Sequence, residues 1–294
     1  MDAHDSTNRP FTTYDKQIQI LESRGMSFDS INKDEAKEIL RRVNYYKLIN
    51  GYKEFFTHED DYSGVDFNDI YALYKFDEKL RFSFLKAILV FECEFKSITS
   101  YIFSQNFSPY SYSDISCYSF AVAHQGVITV QKMISKICKP LTDNPLKNTI
   151  KHYLIDNKEN VPFWVLTGVL TFGNMVYFYK CLNPNEQRSI AKNYDMSPKD
   201  FTKSIGFLNY IRNLAAHSER LFDTSFHKNH DKLYDIVLTF RNFLHDDDRL
   251  CFIDEIVGES CNLEAVNARC YDIALSMMGC PEDYRKKLQE KIIG

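Results

Sequence analysis

"YKFDEKLRFSFLKAILVFECEFKSITSYIF", residues 74–103, decides the fold class. Through it and its upstream flank the apolar residues Ile70, Leu73, Leu80, Phe84, Ile88, Phe91, Phe95, Ile98 and Ile102 recur at threes and fours. That is the period of a helix with one apolar face, not the alternation of a strand. From Asp66 to about Asn106 the pattern predicts one very long amphipathic helix, or two in line. Its aromatic residues read as core. Glu92 and Glu94 are two apart, so they point to different faces and do not form a carboxylate dyad.

Outward from that stretch, helix follows helix. Asn32 precedes Lys33-Asp34-Glu35, a cap residue with an acid three positions on. Asn183-Pro184-Asn185-Glu186 and Ser197-Pro198-Lys199-Asp200 repeat the logic, with Pro at the first helical position. Further helices are expected near 127–138, 145–156, 162–171, 174–181, 198–218, 229–245 and 263–278, and from Pro281 to about Ile292. The Ser-, Tyr- and Pro-containing segment 106–125 reads as a long loop, and Trp164 as a packing anchor. Only 10 Gly and 8 Pro leave little turn chemistry for a many-stranded fold. The expectation is all-α: a polar tail over 1–14, one compact helical domain over 15–250, and a helical C-terminal extension over 251–294.

The 294 residues suffice to bury a core of ordinary size. With 44% hydrophobic and 26% charged residues, the balance is that of a soluble globular protein. A net charge of −4 argues against a chain that coats nucleic acid non-specifically, while leaving room for a local basic patch. MDAHDSTNRP, polar and carrying acids, does not read as a signal peptide, so none is expected. Apolar runs such as AILVF, 87–91, fall far below a membrane span, so a cytoplasmic protein is expected. None of the eight cysteines has C-x-x-C spacing, and no His-x-x-x-His completes a zinc site. Reduced thiols, no metal and no cofactor are the expectation.

Chemistry concentrates in "YIRNLAAHSERL", residues 210–221. On a helix begun at the Ser197 cap, Phe201, Ile205, Leu208 and Ile211 pack inward. Asn213 and His217 are four apart and share a face. Arg212 is about 140° and roughly 7.5 Å from His217, within reach because its side chain is long. Ala215 and Ala216 are expected to clear that space, and Arg220 adds a second guanidinium. A histidine, with an unperturbed pKa of about 6.5, can take the proton of a ribose 2′-OH or give one to the leaving 5′-oxygen. An arginine can clamp the scissile phosphate and stabilise charge developing on it. Asn213 can orient the imidazole or hold a phosphate oxygen. One histidine does not easily serve as both base and acid, so the chemistry asks for two copies of the motif facing each other across a homodimer. From spacing alone the motif also reads as a helix end, with Arg212 and Arg220 complementing the helix C-terminus and pairing with Glu219 and His217 as a polar cap.

Arg41, Arg42, Lys47 and Lys53 are interleaved with Tyr45, Tyr46 and Tyr52. Such a block can track phosphates and stack bases, with Arg41 and Arg42 the first candidates for RNA contact and Lys47 and Tyr46 beside them. It also reads as structure, since tyrosines at helical spacing are commonly core residues with the hydroxyl at the surface. His227 and His230 follow the motif closely enough to line its mouth.

Four blocks carry a resemblance: "YIRNLAAHSERLF" from 210, "ILRRVNYYKLINGYKEFF" at 39–56, the stretch at 74–103 with Phe76-Asp77 and Leu80-Arg81, and "VPFWVLTGVLTFGNMVYFYKCL" at 161–182. In this order they resemble the Abi-like family (AbiD/AbiF type) of bacterial abortive-infection phage defence, within the HEPN superfamily. The tail after 250 has no matching block. Family members often carry a second histidine where this chain has Ser218, and Trp-Asn where it has Phe222-Asp223. The resemblance implies a HEPN-type helical bundle that dimerises through the motif helix. It implies a metal-independent endoribonuclease and toxin, with Arg212, Asn213 and His217 catalytic and a 2′,3′-cyclic phosphate product. A small structured non-coding RNA is an implied partner. A catalytically silent HEPN-like module that binds RNA or protein is the other reading.

Overall fold

The computed structural model describes residues 11–57, 59–120, 126–143, 148–225 and 231–290. In chain order the α-helices are α1 (Tyr14–Ser23), α2 (Lys33–Val43), α3 (Phe67–Asn106), α4 (Gly126–Asp143), α5 (Asn148–Lys151), α6 (Phe163–Leu166), α7 (Phe172–Cys181), α8 (Pro184–Lys192), α9 (Pro198–Ala216), α10 (Leu233–Phe240), α11 (Asp246–Val266), α12 (Ala268–Met278) and α13 (Tyr284–Glu290). Short 3-10 and π turns link several of them, and pairing between extended segments is limited, among the described residues, to two isolated bridges. The fold is all-α.

The period that predicts a helix around residues 74–103 produces one unbroken helix of 40 residues, about 60 Å long. Asp66 starts it with a capping box: its carboxylate accepts from the Asn68 amide while Asp69 accepts from the Asp66 amide. Helices α6, α7, α8, α9, α11 and α12 pack along this axis. Phe95 touches Phe201 near one end of α9, and Arg81 reaches the Glu219 carbonyl just past its other end. So α9 runs antiparallel to α3. Phe84 meets Phe252 while Asp69 accepts from Asn267, which makes α11 antiparallel as well. Between them an aromatic core closes around Phe91, whose ring meets those of Phe95, Phe172, Tyr194, Phe240 and Phe243. Rings of this size in edge-to-face contact carry much of the burial energy of such a core.

The buried face of α3 carries charged residues, Asp77 and Arg81 among them. Asp77 is fully buried. Its carboxylate accepts from the Leu221 amide at 3.0 Å, the Phe222 amide at 2.8 Å and the Tyr52 hydroxyl at 2.7 Å, and it pairs with the guanidinium of Arg81 one turn on. Complete burial pushes the carboxyl pKa up, while Arg81, Tyr52 and the two amides favour its ionised form. Burial works against the Arg81 charge too, but Asp77 and Tyr52 outweigh it and raise its pKa. The pair thus ties α3 to the segment after α2 and to the segment after α9.

Several expectations change. The stretch 246–266 is a full helix, hidden in the sequence by a run of acids and by Gly258. Those acids occupy its first turn, where a helix N-terminus favours them. The boundary expected at 250/251 falls inside α11, whose Phe252, Ile253 and Ile256 are buried, so the C-terminal helices belong to the same core. Asn183 precedes α8 without capping it through its side chain, which instead donates to the Cys117 carbonyl at 3.1 Å. Trp164 is 53% exposed, because Phe163 and Leu166 take the two buried positions of the four-residue α6. Asn32 and Ser197 cap their helices as expected. No helix among the described residues is long and apolar enough to cross a membrane.

Removing one partner of a buried ion pair leaves the other charge uncompensated, at a cost of about 3–5 kcal/mol. Asp77→Ala is therefore expected to lower stability by about that amount in urea unfolding, and Asp77→Leu combined with Arg81→Met to recover only part of it, since the Leu221 and Phe222 amides and the Tyr52 hydroxyl stay unpaired. A single substitution costing no more than about 1 kcal/mol would show that the network does not hold the fold together.

Candidate active site at the end of the motif helix

Helix α9 begins where Ser197 accepts from the Asp200 amide, with Pro198 in the first position. Phe201, Ile205, Leu208 and Ile211 bury its inner face. It ends in a Schellman turn: the Glu219 amide bonds the Leu214 carbonyl at 2.9 Å and the Ser218 amide the Ala215 carbonyl at 3.2 Å. Such a turn needs a residue with left-handed backbone, usually glycine; here it is Ser218, at φ 56°. His217 consequently stands at the C-cap, its ring at the exposed tip of the helix.

Arg212 and Asn213 lie one turn before that tip. Asn213 and His217 are exposed on one face, and Arg212 is half-buried toward the flank. Its Nε is buried and has no hydrogen-bond partner. Among the described residues, no hydrogen bond or ion pair engages the Arg212 guanidinium, the Asn213 amide or the His217 ring. A desolvated guanidinium donor left unpaired costs of the order of 1–3 kcal/mol, so this position holds an unmet demand for an acceptor. The expected role of the two alanines splits. Ala216 is exposed and lies between Arg212 and His217 around the helix, leaving the space open. Ala215 is buried and faces the core.

The segment after His217 is held rigidly. Arg220, expected from sequence to contact RNA, instead donates from Nη1 to Glu54 at 2.5 Å and to the Gly51 carbonyl. It also forks onto Asp223, Nη2 lying 2.7 Å from its carboxylate, and covers the Phe55 ring. Burial opposes the Arg220 charge, but Asp223 and Glu54 raise its pKa above the ordinary value. Its donors are taken by this chain, and Glu219 is not its partner. Phe222, where family members often carry Trp, stacks on Tyr52 and tilts against Phe55, and Asp223 is the residue that fixes Arg220.

Of the basic block, Lys47 alone is brought to the motif: its Nζ lies 3.5 Å from the His217 carbonyl. Tyr46, beside it in the π turn Tyr46–Asn50, is 70% exposed. Arg41 pairs with Glu38 at 2.7 Å, and Arg42 is exposed without a partner among the described residues. Both sit in the last turn of α2, where cations offset the helix dipole. Tyr52 is core, its hydroxyl meeting Asp77 rather than water. His227 and His230 lie outside the described residues.

The contribution of Asp77, Arg81 and Tyr52 was not assigned from sequence, although a signal existed. An Asp and an Arg four apart stand on an apolar helix stripe, where a charge persists only if paired.

Comparison with known proteins adds one finding: residues 38–223 match the family described as Abi-like protein. No curated protein and no solved structure matches the chain. The matched span ends two residues beyond Leu221, so it includes α3, the motif and the loop that Asp77 secures.

A side chain in the left-handed region costs about 1–2 kcal/mol relative to glycine. Ser218→Gly is expected to raise the thermal midpoint by about 2–4 °C, followed by circular dichroism, and β-branched Ser218→Val to lower it. Equal midpoints for all three chains would contradict the Schellman geometry.

Proposed function

From the premise that the chain belongs to the Abi-like protein family, whose membership implies abortive-infection defence, we propose that it is a metal-independent endoribonuclease of the HEPN type. The observation that carries this reading is the unpartnered set Arg212, Asn213 and His217 at the open end of α9. Two neighbouring guanidinium groups are engaged instead within the chain: Arg220 by Glu54 and Asp223, Arg81 by Asp77.

In the proposed reaction the 2′-oxygen of a ribose attacks the adjacent phosphorus and the bond to the 5′-oxygen breaks. The 2′-OH proton passes to one imidazole, and a second, protonated imidazole gives a proton to the departing 5′-oxygen. The products are a 2′,3′-cyclic phosphate and a 5′-hydroxyl. Arg212 holds the non-bridging oxygens and offsets their growing charge. Asn213, sharing a face with His217, positions the ring or a phosphate oxygen. The motif supplies one imidazole per chain, so in this proposal the working unit is a homodimer that brings the ends of both α9 helices together. Phe82, 59% exposed and next in sequence to the Arg81 that touches Glu219, offers apolar surface for that contact. Lys47 and Tyr46, at the edge of the same opening, serve as RNA contacts. A structured small RNA, as the family resemblance implies, would bind by the same chemistry.

Loss of a general acid–base removes about 10²–10⁴-fold of rate, and loss of an oxyanion donor about 10²–10³-fold. His217→Ala is expected to abolish detectable RNA cleavage and the toxicity of expression, with secondary structure and oligomeric mass unchanged. Arg212→Lys, which loses the bidentate fork, is expected to cut slowly. Cleavage by the parent should persist in EDTA and leave cyclic-phosphate ends. RNA bound but left uncut by the parent, or cut equally by His217→Ala, would refute the nuclease and favour a binding module.

A further inference from the structure

The outward line of α9 does not stop at the motif. Lys199, Lys203, Gly206, Tyr210, Asn213 and His217 follow one another at steps of four and three, so they lie along one line within about 40°. All are exposed or half-exposed. Below the motif this line opens into a groove of about 630 Å³, walled by Lys180 of α7 on one side and floored by Thr202 and Gly206. Lys199, Lys203 and Tyr210 complete it.

Two placements here contradict local helix preferences. Lys199 sits in the first turn of α9, where the helix dipole favours an acid. Gly206 sits mid-helix, where glycine is destabilising, although a Cβ there would meet nothing within 4 Å. Packing does not require that glycine. What it provides is close approach of something else to the helix backbone, inside a groove edged by ammonium groups. Among the described residues Lys180 and Lys199 have no ion pair, and Lys203 has one, to Asp231 at 2.9 Å. Tyr210 is 49% exposed and presents a ring beside the groove.

We infer that this groove binds the phosphate backbone of single-stranded RNA and leads the strand along α9 to the motif. This rests on RNA being the substrate and adds where the uncut part of the strand lies. Lys180 and Lys199 neutralise phosphates, and Gly206 lets the backbone approach. From Gly206 to His217 is about 16 Å along the helix, so a second copy meeting the C-terminal end of α9 leaves the groove open.

The test uses full-length protein carrying His217→Ala, so that RNA stays intact, and a fluorescein-labelled single-stranded RNA 20-mer read by anisotropy across a salt series. Adding Lys180→Gln and Lys199→Glu is expected to weaken binding about tenfold or more and to flatten the log–log salt slope by about 1.4, two phosphate contacts' worth. Gly206→Leu, whose Cβ would meet nothing within 4 Å, is expected to weaken binding while raising the thermal midpoint. In the parent with an intact His217, the lysine changes should slow cleavage of the 20-mer and leave cleavage of a dinucleotide unchanged. Parental affinity and salt slope in both variants would overturn the groove, even with cleavage intact. Lysine-dependent binding together with a parent, His217 intact, that cuts no RNA would keep the groove and refute the nuclease.

Discussion

The buried carboxylate of Asp77 is the constraint on which the rest of the structure depends. It lies on the core face of α3, where an unpaired charge would be prohibitive. The donors that compensate it come from separate parts of the chain: Tyr52 after α2, Arg81 on α3 itself, and the Leu221 and Phe222 amides after α9. Satisfying one acceptor therefore fixes three segments far apart in sequence. The last of them begins four residues beyond His217. The geometry of the motif end is thus set from the core and from the Schellman turn at Ser218, not from the exposed polar residues themselves.

That division is the one the proposed phosphate site requires. Groups that shape the site are saturated: Asp77 with Arg81, Arg220 with Glu54 and Asp223. Groups assigned to the chemistry are left open, with the Arg212 Nε buried and unpaired and the His217 ring at a helix tip. The same contrast runs down α9, where Lys199 and Gly206 occupy positions that local helix preference disfavours. Departures from local rules are expected where a chain must meet something other than itself.

Much of this was legible in the sequence because helices advertise themselves through period and caps. The 40-residue α3, the Asn32 and Ser197 caps and the helical motif all follow from spacing and end residues. What escaped were features decided by tertiary partners. Trp164 was expected to anchor packing because large rings usually do, yet its neighbours in a one-turn helix took the interior. Arg220 carried the same charge as Arg212 in the sequence. Only the fold shows that Glu54, 166 residues away, has claimed it. Ala215 and Ala216 were indistinguishable by composition and face opposite environments. Helix α11 was missed because a strong acidic start and a central glycine mask its apolar positions.

The central claim is that one catalytic site needs the motif of two chains, and mixing tests it most directly. Wild-type and His217→Ala chains, co-folded in varied proportions, form homodimers and mixed dimers by chance. If both histidines serve one reaction, the mixed dimers are silent and RNA cleavage falls as the square of the wild-type fraction, to about a quarter at equal mixing. A linear fall, to about a half at equal mixing, would mean that each chain cuts alone and would contradict the shared site.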